Sequence, residues 1–106
     1  MLINWVYLLA AILFEVLGTT CMKLSEGFKN IIPSILIFVF YGFGFTFSTL
    51  SLEKIDVGVA YAIWSGLGTM LIASIGIIWF QESMSLVKFL SIGLIVIGVI
   101  GINASK

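Results

Sequence analysis

The stretch from Met1 to Met22, MLINWVYLLAAILFEVLGTTCM, carries one charged side chain, Glu15, near its middle. At 1.5 Å per residue, about 20 apolar residues cross a hydrocarbon core of roughly 30 Å. The stretch therefore reads as a membrane-spanning helix with a carboxylate at mid-depth. A charge there is costly unless it is partnered or protonated, so Glu15 is read first as a cation or proton site.

Working outward, the chain has 106 residues, 61% of them apolar and 9% charged, which is the composition of an integral membrane protein. Four stretches are long enough to span, at about 3–22, 31–52, 57–80 and 86–104, giving an all-α, polytopic protein with one four-helix transmembrane domain over 1–106. The polar breaks run from Lys23 to Asn30, Glu53 to Asp56 and Gln81 to Ser85. Links this short force neighbouring helices antiparallel and leave no room for a soluble catalytic domain. A transporter is expected rather than an enzyme. Pro33 falls at the start of the second span, where a missing N–H loses no helical bond, so it marks a helix start and not a kink.

Five lysines balance five acids, with no arginine or histidine, so there is no basic surface for nucleic acid. Cys21 stands alone, which excludes an intrachain disulfide and a metal-ligand spacing; no metal and no cofactor are expected. The apolar run at the N-terminus is too long for a signal peptide and has no charged leader, so it should remain as the first span. Lys54 and Lys106 lie on one side of the membrane and Lys23, Lys29 and Lys88 on the other. With so small a bias the chain is expected to insert both ways round, and reporters fused to the C-terminus that signal from one side only would exclude this.

On a helix, residues three and four apart stack on one face. Leu8, Ala11, Glu15, Gly18, Thr19 and Met22 form such a stripe. Its small residues leave space beside the carboxylate for a ligand, or let another helix approach closely. No span offers a lysine at the same depth, so Glu15 is expected to hold either a proton or an organic cation. Tyr61 and Trp64 share a face of the third span, and Tyr41 and Phe45 a face of the second; aromatic faces attract poorly hydrated cations, though they also fill cores. Trp5, Tyr7 and Trp79 read as headgroup anchors. Gly66 and Gly68 make the third helix easy to bend, or pack it tightly. The fourth span, with Ser91 and Gly98 seven apart and no deep charge, reads as an association surface.

Three blocks in order resemble the small multidrug resistance family of four-span exporters: Phe14 to Thr20, Met22 to Phe28, and Gly58 to Gly68. The resemblance covers nearly the whole chain. It implies an antiparallel homodimer in the cell inner (plasma) membrane that exports lipophilic cations in exchange for protons. On that likeness Glu15 of each subunit faces a shared pocket, Tyr61 and Trp64 line it, Tyr41 and Phe45 are its adaptable walls, Gly66 and Gly68 form a hinge, and the fourth helices join the dimer. The family often has glycine where this chain has Ser91. Gly18-Thr19-Thr20 and Ser25-Glu26-Gly27 are similar to the branch that handles quaternary ammonium compounds; the guanidinium branch usually has a tryptophan beside its glutamate block. A guanidinium or polyamine exporter is the nearest alternative. A rotary-ring proton carrier would show a two-span hairpin or its duplication, and a structural four-span protein gives no reason to bury Glu15. No nucleotide motif is present, so ATP is not implied.

Overall fold

The computed structural model describes residues 2–105. Met1, and Lys106 with its part in the orientation argument, lie outside the described residues. Four helices follow one another: α1 Leu2–Leu24, α2 Ile31–Ser51, α3 Val57–Ile78 and α4 Leu86–Ser105. Each is long and apolar enough to cross a membrane, and no strand occurs among the described residues. Apolar segments of this length close their backbone hydrogen bonds internally because hydrocarbon offers no other partner.

The links explain where the helices stop. After α1 the chain turns through three residues with positive φ, Glu26 (51°), Gly27 (71°) and Phe28 (70°). The turn is tied to the helix end: Ser25 Oγ donates to Met22 O (2.8 Å) and Asn30 Nδ2 to Leu24 O (2.8 Å). These bonds satisfy carbonyls that the helix end leaves open. Pro33 is the third residue of α2, as its missing donor allows. The third helix ends at Ile78, two residues short of the expected span. There Gly76 O accepts from both Phe80 N (3.2 Å) and Glu82 N (3.0 Å), and Gln81 adopts a left-handed φ of 59°, which unwinds the chain.

The core lies between α1 and α3, where Leu8, Ile12 and Val16 meet Val59, Ala60 and Ile63, with Ile55 of the second link beneath them. On its other side α1 packs against α2, where Phe14 stacks on Phe43 (centroids 5.3 Å) and Phe47 (5.7 Å). The two backbones come close at Gly44, where an added Cβ would sit 3.5 Å from Ala11 O. Asn4, itself buried, donates from Nδ2 to Leu50 O (3.2 Å) and fastens the start of α1 to the end of α2. The fourth helix packs on α3, closest where Gly66 faces Val99; a Cβ on Gly66 would overlap the valine Cγ2. The described residues form a slab of 43 × 35 × 16 Å, little thicker than one helix with its side chains. They leave a broad face of the slab open.

Tyr7 stacks on Phe47 (5.9 Å) and Trp5 packs against the core, because both point toward neighbouring helices; Trp79 alone is exposed at a helix end.

Candidate functional site

Glu15 sits in the middle of α1, half-buried, at the meeting point of two cavities. Thr19, one turn along, donates from Oγ1 to Glu15 Oε1 (3.1 Å). Tyr41 Oη of α2 lies 2.5 Å from the same Thr19 oxygen. A hydroxyl has one proton to give, so with Thr19 donating to the carboxylate, Tyr41 donates to Thr19. The chain of bonds Tyr41, Thr19, Glu15 fixes one carboxylate oxygen. The other, Oε2, turns toward α3, 3.4 Å from the position a Cβ would take on Gly68. Among the described residues no lysine pairs with Glu15.

The first cavity, about 220 Å³, is lined by Leu8, Ala11 and Glu15 of α1, Tyr41 and Phe45 of α2, and Tyr61 and Trp64 of α3. The two aromatic pairs are in ring contact, Tyr41 with Phe45 (5.9 Å) and Tyr61 with Trp64 (5.4 Å, edge to face). Phe45 (62% exposed) and Tyr61 (65%) form a rim that nothing in the described chain covers. The second cavity, about 390 Å³, shares Glu15 and Trp64 but is otherwise walled by Thr19, Ser65, Gly68, Thr69, Ile72 and Ala73. The carboxylate thus has an aromatic cavity on one side and a hydroxyl-lined cavity on the other.

Of the residues singled out by spacing, Leu8, Ala11, Glu15, Tyr41, Phe45, Tyr61 and Trp64 come together in the first cavity, and Thr19 joins them through Glu15. Gly18 does not line it. A Cβ there would lie 2.8 Å from the Tyr41 ring, so the room that glycine leaves is taken by the tyrosine. Gly68 borders the carboxylate and Gly66 borders α4. Both lie inside the unbroken helix α3. Ser91 and Gly98 are exposed on α4, and no residue meets a Cβ built on Gly98. Gly44 and Ser48 also line the aromatic cavity, and Ser65 and Thr69 the second. Gly44 and Ser48 lie three and seven residues beyond Tyr41, so the helical spacing held that signal.

These features define a class: a four-helix, multi-pass membrane protein whose half-buried carboxylate borders cavities built by three of its helices. The sequence model of the family described as Small Multidrug Resistance protein matches residues 3–95, and the chain belongs to that family. It is similar to an uncharacterized membrane protein, YvaE, of Bacillus subtilis (56% identity; 94% of this chain, 84% of the relative). It is also similar to the quaternary ammonium compound-resistance protein QacF of Klebsiella aerogenes (41%; 94% and 91%) and the multidrug resistance protein EbrA of Bacillus licheniformis (40%; 99% and 100%). Membership of this family and four apolar spans make it a multi-pass cell-membrane protein.

Proposed function

We propose that the chain is a proton-coupled antiporter that exports lipophilic and quaternary ammonium cations, with proton and cation taking turns at Glu15. The observation that carries this is the unpaired mid-span carboxylate facing a cavity of aromatic rings. Poorly hydrated cations bind ring faces and a carboxylate together, each aromatic face contributing about 0.5–2 kcal/mol. The names of QacF and EbrA agree with this substrate class. The site residues are Glu15, Leu8, Ala11 and Thr19 on α1, Tyr41 and Phe45 on α2, and Tyr61 and Trp64 on α3, with Gly18 seating Tyr41.

The open rim at Phe45 and Tyr61 supports a second, antiparallel copy completing the pocket, with Ser91 and Gly98 of α4 in the contact between copies. An inverted pair moves its opening from one side to the other when the two copies exchange conformations. A bend of α3 at Gly66 and Gly68 supplies that exchange. Protonation of Glu15 removes the charge that holds the cation, so inward proton flow drives release; each charge crossing 100 mV is worth about 2.3 kcal/mol.

The experiment is a titration of tetraphenylphosphonium affinity against pH for the wild type, Glu15→Asp and Glu15→Gln. Affinity should fall as pH drops, because the neutral acid no longer attracts the cation; the aspartate should displace the midpoint and the glutamine should erase the dependence. Normal pH-driven uptake into liposomes by Glu15→Gln overturns the assignment. Guanidinium bound in preference to tetraphenylphosphonium would move the chain to the guanidinium branch.

A further inference from the structure

The link after α3 contains a second carboxylate in an unusual seat. Gln81, with its left-handed φ of 59°, turns the chain back so that Glu82 N donates to Gly76 O (3.0 Å). The Glu82 carboxylate is thereby laid on the backbone of Gly76: a Cβ there would stand 2.5 Å from Oε1 and 2.9 Å from Cδ. Only glycine at position 76 leaves that notch. A non-glycine residue held left-handed costs about 1–2 kcal/mol, so the turn that produces this placement is maintained against a local preference.

The notch opens on a third cavity, about 200 Å³, bounded by Thr19, Thr20 and Lys23 of α1 and by Ile72, Ala73 and Gly76 of α3, with Glu82 at its end. Thr19, Ile72 and Ala73 are also walls of the hydroxyl-lined cavity beside Glu15. The two spaces share these three walls; Glu82 borders one and Glu15 the other, and the hydroxyl residues Thr20, Thr19, Thr69 and Ser65 stand along them among the apolar walls Ile72, Ile75 and Phe80. At about 30 Å³ per molecule they have room for several waters. The aromatic cavity shares with them only Glu15 and Trp64.

Resting on the proton coupling proposed above, we propose that Glu82 is the outer proton-collecting group of a hydroxyl-lined path to Glu15, separate from the aromatic cavity through which the organic cation reaches it. A proton taken from water by the Glu82 carboxylate passes through the waters of the two spaces to the Thr19 oxygen, as Thr19 gives its own proton to Glu15 Oε1. The charges facing Glu82 are Lys23 in the same cavity and Lys88 of α4, whose Nζ donates to O of the neighbouring Ser83 (2.6 Å). Lys23 at this entrance repels positive charge of either kind, and the distinction is one of size: a proton moves between neighbouring acceptors without carrying a body through the space.

The test compares the wild type, Glu82→Gln, Glu82→Asp and Gly76→Ala in liposomes. Glu82→Gln should slow pH-driven tetraphenylphosphonium uptake by about tenfold, the low end of what a charged cleft adds to capture rates. Its equilibrium affinity, its pH midpoint and its exchange of labelled for unlabelled tetraphenylphosphonium, which moves no net proton, should stay at wild-type values. Glu82→Asp, or formate added to Glu82→Gln as a mobile acid, should restore the rate. Gly76→Ala should reproduce the slow phenotype by expelling the carboxylate, in a helix that alanine suits. An unchanged uptake rate in Glu82→Gln overturns the path. So does an equal fall in uptake, exchange and affinity, or a failure of formate to restore the rate. A wild type that ignores pH gradients overturns the coupling itself, and the path with it.

Discussion

Helices α1 and α4 are both long apolar rods, yet they stand at opposite extremes of the fold. The first buries Leu8 and Ile12 to 1% exposure and is held on two sides, by α2 and α3. The fourth touches α3 along one face, and none of the residues in its most apolar stretch is buried. The difference teaches where this chain finishes its own structure and where it does not. Hydrophobicity does not separate the two helices, since lipid is as apolar as either; close packing and polar contacts do.

Four measurements would break or sharpen that contrast. The largest effect is expected for Ile12→Ala, which should cost about 2 kcal/mol in reversible unfolding, the low end for a buried truncation because lipid removes the transfer term and leaves the lost packing. Ile97→Ala on the exposed face of α4 should stay within about 0.5 kcal/mol; equal losses at both sites would erase the distinction. Next comes Gly66→Ala, where the new methyl meets Val99 and should cost about 1–2 kcal/mol, the lower part of the range for overpacking. The double variant Gly66→Ala/Val99→Ala should recover most of it, and absence of recovery would place the strain elsewhere. Trp64→Ala should weaken tetraphenylphosphonium binding by about fivefold, the loss of roughly 1 kcal/mol of ring attraction, with protein abundance falling less; matched losses would make Trp64 a packing residue. A local effect is expected for Asn4→Ala, which leaves Leu50 O without its donor and should cost about 1 kcal/mol, read as earlier exchange of the amides at the end of α2.

The four helices were legible because length and apolarity alone decide what crosses a bilayer, and the charged breaks at Lys23, Glu53 and Glu82 mark the ends. The early stop of α3 was not. It depends on Gln81 taking a conformation that its side chain does not advertise. At the site, helical spacing brought Leu8, Ala11 and Glu15 onto one face, and the aromatic pairs onto theirs. It was silent on depth between helices, so it left open whether Gly18 made room for a ligand or for a close helix; Tyr41 of α2 takes that room. Position near a span end likewise said nothing about which neighbour a ring meets, as at Tyr7, which stacks on Phe47.

The first link has a bearing on how the molecule is made. Three left-handed residues in a row, tied to α1 through Ser25 and Asn30, give α1 and α2 a connection of fixed hand. The stacked rings of Phe14, Phe43 and Phe47 close the pair below it. A hairpin tied in this way favours insertion as one unit, which makes the orientation of α1 and α2 one choice and not two. Lys23 and Lys29 flank the turn and Lys54 follows the open end, so the lysine bias acting on that choice is two against one.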